Sequence, residues 1–136
     1  MSQICCGKFK HEKNENLDDY FKALGVPYLI RKMICSTSPQ LEITSDEQGN
    51  WTVSQITMLK TTVAKFKLGE VFEENMPGGL LKSNAVLEDN KLIISSTGPN
   101  QEKVTRTYEF SESHCILTLK ELKSGIEAKR HFKRSQ

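Results

Sequence analysis

From residue 41 onward, apolar and polar residues alternate in short runs. LEIT (41–44) and WTVSQI (51–56) alternate cleanly, and TTVAKF (61–66) is rich in β-branched residues. VFEE (71–74), LLKSNAVL (80–87), KLIIS (91–95), VTRTYEF (104–110), CILTLK (115–120) and IEAKRHFK (126–133) follow at close intervals. Period-two alternation of this length predicts strands with one face turned inward. Turn residues separate the runs: Asp46–Gly49–Asn50, Pro77–Gly78–Gly79, Asp89–Asn90 and the polar loop STGPNQEK. Many short strands joined by tight turns predict an up-and-down antiparallel barrel or a sandwich.

The first forty residues follow another period. After a short strand at Lys8–His11, Leu17, Tyr20, Phe21 and Leu24 recur at i, i+3, i+4 and i+7, the spacing of one helical face. Asn14 or Asn16 is placed to cap this helix, acids follow in its first turn, and Gly25 stops it. Pro27 suits the first turn of a second short helix, PYLIRKMI, and Pro39 ends the helical region. No linker, repeat or low-complexity segment divides the chain, so residues 1–136 read as one domain.

Composition narrows the choice. The hydrophobic share is 37% and the mean hydropathy −0.48, low for a conventional oily core. Aromatic and β-branched residues nevertheless run throughout, which excludes disorder. A fold with a partly polar, wet interior reconciles the two. The net charge of +2, with no Lys/Arg-rich block, gives no support for a nucleic-acid partner. No segment approaches the ~20 apolar residues of a membrane-spanning helix, and the N-terminus lacks a signal-peptide core, so the expected compartment is the cytosol. Cys5, Cys6, Cys35 and Cys115 lack metal-site spacing and are expected as free thiols. No metal or cofactor is expected.

Two arginines break the strand pattern. In IEAKRHFKR (126–134), Ile126, Ala128, Arg130 and Phe132 share a face; in VTRTYEF, Val104, Arg106, Tyr108 and Phe110 do. A guanidinium on an apolar face stays charged and needs an anion or a solvated cavity. The nearby acids, Glu109 and Glu127, alternate to the opposite face. The open readings are a ligand carboxylate, which guanidinium forks match well, an internal ion pair with an acid elsewhere, or snorkelling to the rim.

The stretches GKFKHEKNENLDDYFKALGV, IRKM, LKTTVAKFKLGEVFEE and EAKRHFKR resemble the intracellular lipid-binding proteins, the family of fatty-acid-binding and cellular retinoid-binding proteins. The resemblance covers nearly the whole chain. It implies an all-β, calycin-like fold: a ten-stranded up-and-down antiparallel β-barrel capped by two short α-helices, matching the ten strand segments above. It also implies that Arg106 and Arg130 bind a ligand carboxylate. Phe132 stands where the family has a tyrosine, and one hydrogen bond, typically ~1.5–3 kcal/mol to a charged group, is lost there. The turn NMPGGLLKSN lacks the basic residue some members carry. By resemblance, Leu17, Tyr20, Val26 and Ile34 face the ligand near the entrance and Leu59 takes a portal position. Val53, Gln55, Leu117 and Leu119 fall on inward strand faces.

Lys22, Arg31 and Lys32 form a basic group on the helical cap, either a solvated surface or a dock for anionic membranes. In some family members the matching positions form a nuclear-import signal, which extends the expected location to the nucleus. Catalysis has little support: His114 and Cys115 are adjacent strand residues and point apart, His131 faces outward, and Gly78–Gly79 lacks the lysine and helix of a phosphate loop. Cys5–Cys6 reads as an exposed end at the bottom of the barrel. The expected function is a monomeric, non-catalytic carrier of a long-chain fatty acid. The alternatives are a retinoid or carotenoid carrier and a protein-interaction module that lipid modulates.

Overall fold

The computed structural model describes residues 2–76 and 79–135. After a 3-10 turn at Ser2–Cys5 come β1 (Gly7–Glu15), α1 (Leu17–Ala23) and α2 (Tyr28–Ser36). Eight strands in the described residues follow: β2 (Gln40–Ser45), β3 (Asn50–Ile56), β4 (Thr61–Lys67), β5 (Phe72–Met76), β6 (Gly79–Glu88), β7 (Lys91–Thr97), β8 (Lys103–Phe110) and β9 (His114–Glu121). The last strand, β10 (Glu127–Arg134), closes back on β1. All lie in one antiparallel sheet of order β4-β3-β2-β1-β10-β9-β8-β7-β6-β5. The sheet is a nearly closed barrel whose two edges, β4 and β5, are not hydrogen-bonded to each other. Phe66 and Phe72 stack between those edges with ring centroids 4.8 Å apart, so an aromatic contact stands where the ladder is missing.

Alternation places the core as the sequence predicts. Val104, Arg106, Tyr108 and Phe110 on β8 are buried, as are Cys115, Leu117 and Leu119 on β9 and Ala128, Arg130 and Phe132 on β10. The Pro77–Gly78 part of the expected turn lies outside the described residues. The Asp46 turn forms as predicted, its Oδ1 accepting from the amides of Gln48 and Asn50 at 2.9 Å.

β1 runs beyond the short strand expected at Lys8–His11, and it carries a bulge. His11 pairs with Phe132 and Lys13 with His131, leaving Glu12 as the extra residue. The bulge resets the alternation, so His11 and Asn14 both face inward while Lys13 and Glu15 face out.

Leu17 and Tyr20 are buried and Phe21 and Leu24 pack against the core, so the predicted helical face of α1 holds. Its predicted cap does not. Asn16 precedes the helix in the left-handed region and makes no side-chain cap; its Nδ2 donates instead to the Glu127 carbonyl at 2.8 Å, tying α1 to β10. Asn14 is occupied inside the barrel. Gly25, at φ 82°, ends α1 in the left-handed conformation that costs glycine least. α2 starts one residue after Pro27 and stops before Pro39. It has no fully buried residue, and Tyr28, Leu29, Ile30 and Met33 stand exposed on it.

The other end of the barrel is closed by a third inward arginine. Arg134 donates to the carbonyls of Cys6 (2.8 Å), Ile4 (2.6 Å) and Ser111 (2.9 Å), and its guanidinium lies 4.6 Å from the Phe9 ring centroid. Cys5 is fully buried there, not at an exposed end as expected, because the 3-10 turn folds under the barrel and packs on β8. All four cysteines are free thiols, and burial raises the pKa of Cys5 and Cys115.

Candidate functional site

Arg106 and Arg130 both point into the barrel. Cross-strand register puts Arg106 in a row with Leu119 and Ala128, and Arg130 in the next row with Leu117 and Tyr108. The two guanidinium groups therefore come from strands two apart and one inward step apart. Their surroundings differ.

Arg106 has an internal partner. Its Nη2 forms a short ion pair with Glu74 of β5, and both side chains are under one-tenth exposed. Ser83 donates to Glu74 Oε2 at 2.7 Å and lies 2.7 Å from the Ser96 hydroxyl, which in turn sits 3.5 Å from Arg106 Nη2. Of the three open readings, Arg106 takes the internal ion pair: Glu109 and Glu127 do point outward, but Glu74 reaches in. Arg106 Nε is buried without a partner, so the pair leaves one donor unused. The sequence signal for Glu74 was faint: VFEE is too short to fix which of its two glutamates faces inward, and Ser83 and Ser96 only extend apolar faces with hydroxyls.

Arg130 has no such partner. Its Nε donates to Asn14 Oδ1 at 2.9 Å and its Nη2 to the Thr37 carbonyl at 3.2 Å, just past the end of α2. Both acceptors are neutral, and no carboxylate among the described residues lies within ion-pair distance. Arg130 is 5% exposed, and burial is the main cause that lowers its pKa. A buried cation held only by neutral oxygens has a strong requirement for an anion. Asn14 also accepts from His11 Nε2 at 2.7 Å, and the His11 ring meets Phe132 edge-on at 5.6 Å. His11 and Asn14 belong to this site and were not read from the sequence, because the bulge that turns both inward leaves no mark in the pattern.

The remaining predicted lining divides into two groups. Leu17, Tyr20, Val26, Val53, Leu117 and Leu119 are buried, and Ile34 is half-buried on α2. Gln55 reaches the side of Tyr108 from β3, and burial raises the pKa of that tyrosine as it does that of Tyr20, which is pushed up to about 12. Leu59 is 74% exposed beside the fully exposed Met58 in the β3–β4 turn, so it stands on the rim and not in the wall. The basic group on the cap is partly neutralised. Arg31 donates to Asp18 at 3.1 Å and to the Val26 carbonyl at 2.9 Å, and Lys32 lies 3.7 Å from the same Asp18. Lys22 is exposed. No cluster of His, Cys, Asp and Glu among the described residues could hold a metal ion.

A nearly closed ten-stranded barrel with helices at one end and inward cations defines a class of proteins built to enclose a small molecule. The model of the lipocalin / cytosolic fatty-acid binding protein family matches residues 6–125, and the chain belongs to that family. It is 36% identical over 130 residues to a fatty acid-binding protein of Tyrophagus putrescentiae, covering 94% of this chain and 95% of the relative. It is 31% identical to the sodium/calcium exchanger regulatory protein 1 of Doryteuthis pealeii, covering 90% and 92%. Among solved structures, the fatty acid-binding protein from brain tissue of Drosophila melanogaster superposes with a TM-score of 0.84 at 35% identity, covering 93% and 95%.

Proposed function

We propose that this protein binds a long-chain fatty acid inside the barrel and carries it without transforming it. The observation that carries the reading is Arg130: a buried guanidinium with only neutral acceptors, on the wall of a barrel whose relatives are named fatty acid-binding proteins. The ligand carboxylate docks on Arg130. Arg106 joins it only to the extent that Glu74 lets go, and Phe132 adds apolar wall but no hydroxyl. The acyl tail runs along Val53, Leu117 and Leu119 toward Leu17, Tyr20, Val26 and Ile34, with Gln55 and Leu59 nearer the entrance. Each buried methylene contributes ~0.8 kcal/mol, so affinity rises with chain length until the space is filled.

Loading takes place at the helical cap, in a cytoplasmic monomer. Tyr28, Leu29, Ile30 and Met33 of α2 form an exposed apolar face, bordered by Lys22 and Lys32. Apolar residues flanked by cations suit transient contact with an anionic membrane; Arg31 contributes less because Asp18 holds it.

The test is displacement of a fluorescent fatty-acid probe by oleate and by retinoic acid. Oleate should compete at lower concentration than retinoic acid, and Arg130→Gln should weaken oleate by about 10- to 150-fold, the equivalent of one charged hydrogen bond of ~1.5–3 kcal/mol. Equal oleate binding by wild type and Arg130→Gln would end the reading. Stronger competition by retinoic acid would favour a retinoid or carotenoid carrier. The similarity to an exchanger regulatory protein supports a second reading, a module whose outer face binds a partner protein under lipid control. Partner binding that survives in the Arg106→Gln/Arg130→Gln variant would favour it.

A further inference from the structure

His11 has no part in the carrier reading, yet it sits at the centre of the anion site. Asn14 Oδ1 accepts from Arg130 Nε at 2.9 Å and from His11 Nε2 at 2.7 Å. An amide oxygen only accepts, so both partners are donors: His11 carries a proton on Nε2, and any second proton goes to Nδ1. The ring is fixed from the other side by its edge contact with Phe132. His11, Asn14, Arg130 and Phe132 are therefore one packed unit that joins β1 to β10.

The charges around His11 come from few sources. On β1 the Lys13 carbonyl and Asn14 favour its cationic form. From β10, Arg130 and, from the outer face, His131 disfavour it. His131 is itself paired with Glu15 outside the barrel. Beyond the ring, Cys35 of α2 and Tyr108 of β8 act on Arg130, and Asp18 of α1 is held by Arg31. The strand on the other side, β2, turns the buried apolar side chains Leu41 and Ile43 to the interior. Burial, opposed by the bond to Asn14 and reinforced by the Arg130 charge, holds His11 below the usual imidazole range.

We infer that His11 takes up a proton when a carboxylate docks on Arg130, so that anion binding and His11 protonation are linked through Asn14. The inference rests on the carboxylate docking at Arg130. Before docking, Arg130 repels an imidazolium. The carboxylate cancels that repulsion and adds an attracting charge in a site of low dielectric. A proton from solvent then binds Nδ1, while Nε2–H stays on Asn14. The sign follows from linkage. Docking raises the pKa of His11, so between its ligand-free and ligand-bound values each ligand brings a proton with it, and affinity rises as pH falls through that window. A full proton changes affinity about tenfold per pH unit. His11 thereby supplies the site with a second positive group where Phe132 offers no hydroxyl.

The experiment uses decanesulfonate, whose head group stays ionised throughout, alongside decanoate. Calorimetric titrations from about pH 5.5 to about pH 8, the range in which histidine titrates, are run in two buffers of different ionisation enthalpy, which counts protons taken up. The wild type should take up to one proton per decanesulfonate at the acid end and bind more weakly as pH rises. His11→Gln keeps a donor toward Asn14 but cannot titrate. It should bind with no proton uptake and with an affinity that stays level from about pH 5.5 to about pH 8. NMR of the His11 ring in wild type, with and without ligand, reads the same link without a variant and should show its titration moving to higher pH on binding. Undiminished proton uptake in His11→Gln would overturn the inference. An unmoved His11 titration would overturn it as well. Arg130→Gln separates the two claims: unchanged ligand affinity there sinks the docking reading itself, whereas lost affinity with no proton uptake in wild type sinks only the His11 link.

Discussion

Replacing Glu74 with glutamine tests the competition inside the barrel. Arg106 would keep only the 3.5 Å contact with Ser96 while remaining about nine-tenths buried. Removing one partner of a buried ion pair costs about 3–5 kcal/mol, because the surviving charge is left uncompensated. An unfolding entropy of about 2.1 cal/mol/K per residue over this length gives roughly 0.29 kcal/mol/K, so Tm should fall by roughly 10–17 °C. Circular dichroism melts, with the buried Trp51 as a fluorescent reporter, measure this directly. The second half of the prediction concerns ligand. With Glu74 neutral, a docked carboxylate is the only counter-ion left to Arg106, so oleate should raise the Tm of Glu74→Gln by more than it raises that of wild type. The double variant Glu74→Gln/Arg106→Gln should recover most of the lost stability and none of the extra ligand effect. A Glu74→Gln protein that melts within about 3 °C of wild type would refute the buried-charge cost. Equal stabilisation of both proteins by oleate would refute the competition between Glu74 and the ligand.

Arg134→Gln should lower stability by about 3 kcal/mol or more in urea titrations, since three carbonyl contacts to a charged donor and a ring contact are lost together. Saturating oleate should bind that variant as it binds wild type, because Arg134 closes the end of the barrel away from the helices. Alkaline pH should destabilise the fold through its tyrosines. The pKa of Tyr20 is pushed up to about 12, chiefly by burial, and burial raises that of Tyr108 too. Their stabilising contribution is complete below the unfolded value near 10 and is lost as pH rises through the folded value. Chemical denaturation at about pH 9 and about pH 11.5 should show the loss, and Tyr20→Phe should reduce it.

Much of this architecture is written in local pattern. Alternation of period two along VTRTYEF, CILTLK and IEAKRHFK is enough to turn Arg106 and Arg130 inward, because adjacent strand residues must point to opposite faces. The helical spacing of Leu17, Tyr20, Phe21 and Leu24 likewise fixes which side of α1 meets the barrel. What each inward arginine meets is a different matter. Glu74 is 32 residues from Arg106 and on a strand that does not neighbour it, so no window of sequence contains the pair. Asn14 reaches Arg130 from 116 residues away, and only because the bulge at Glu12 shifts β1 by one place. The burial of Cys5 depends in the same way on where the closing turn folds. The sequence by itself determined the strands, the helices, their inward faces and the family. The tertiary structure alone decided that Arg106 is neutralised and Arg130 is not, because the partner of a buried charge is set by closure of the sheet, which brings together residues that strand periodicity cannot relate.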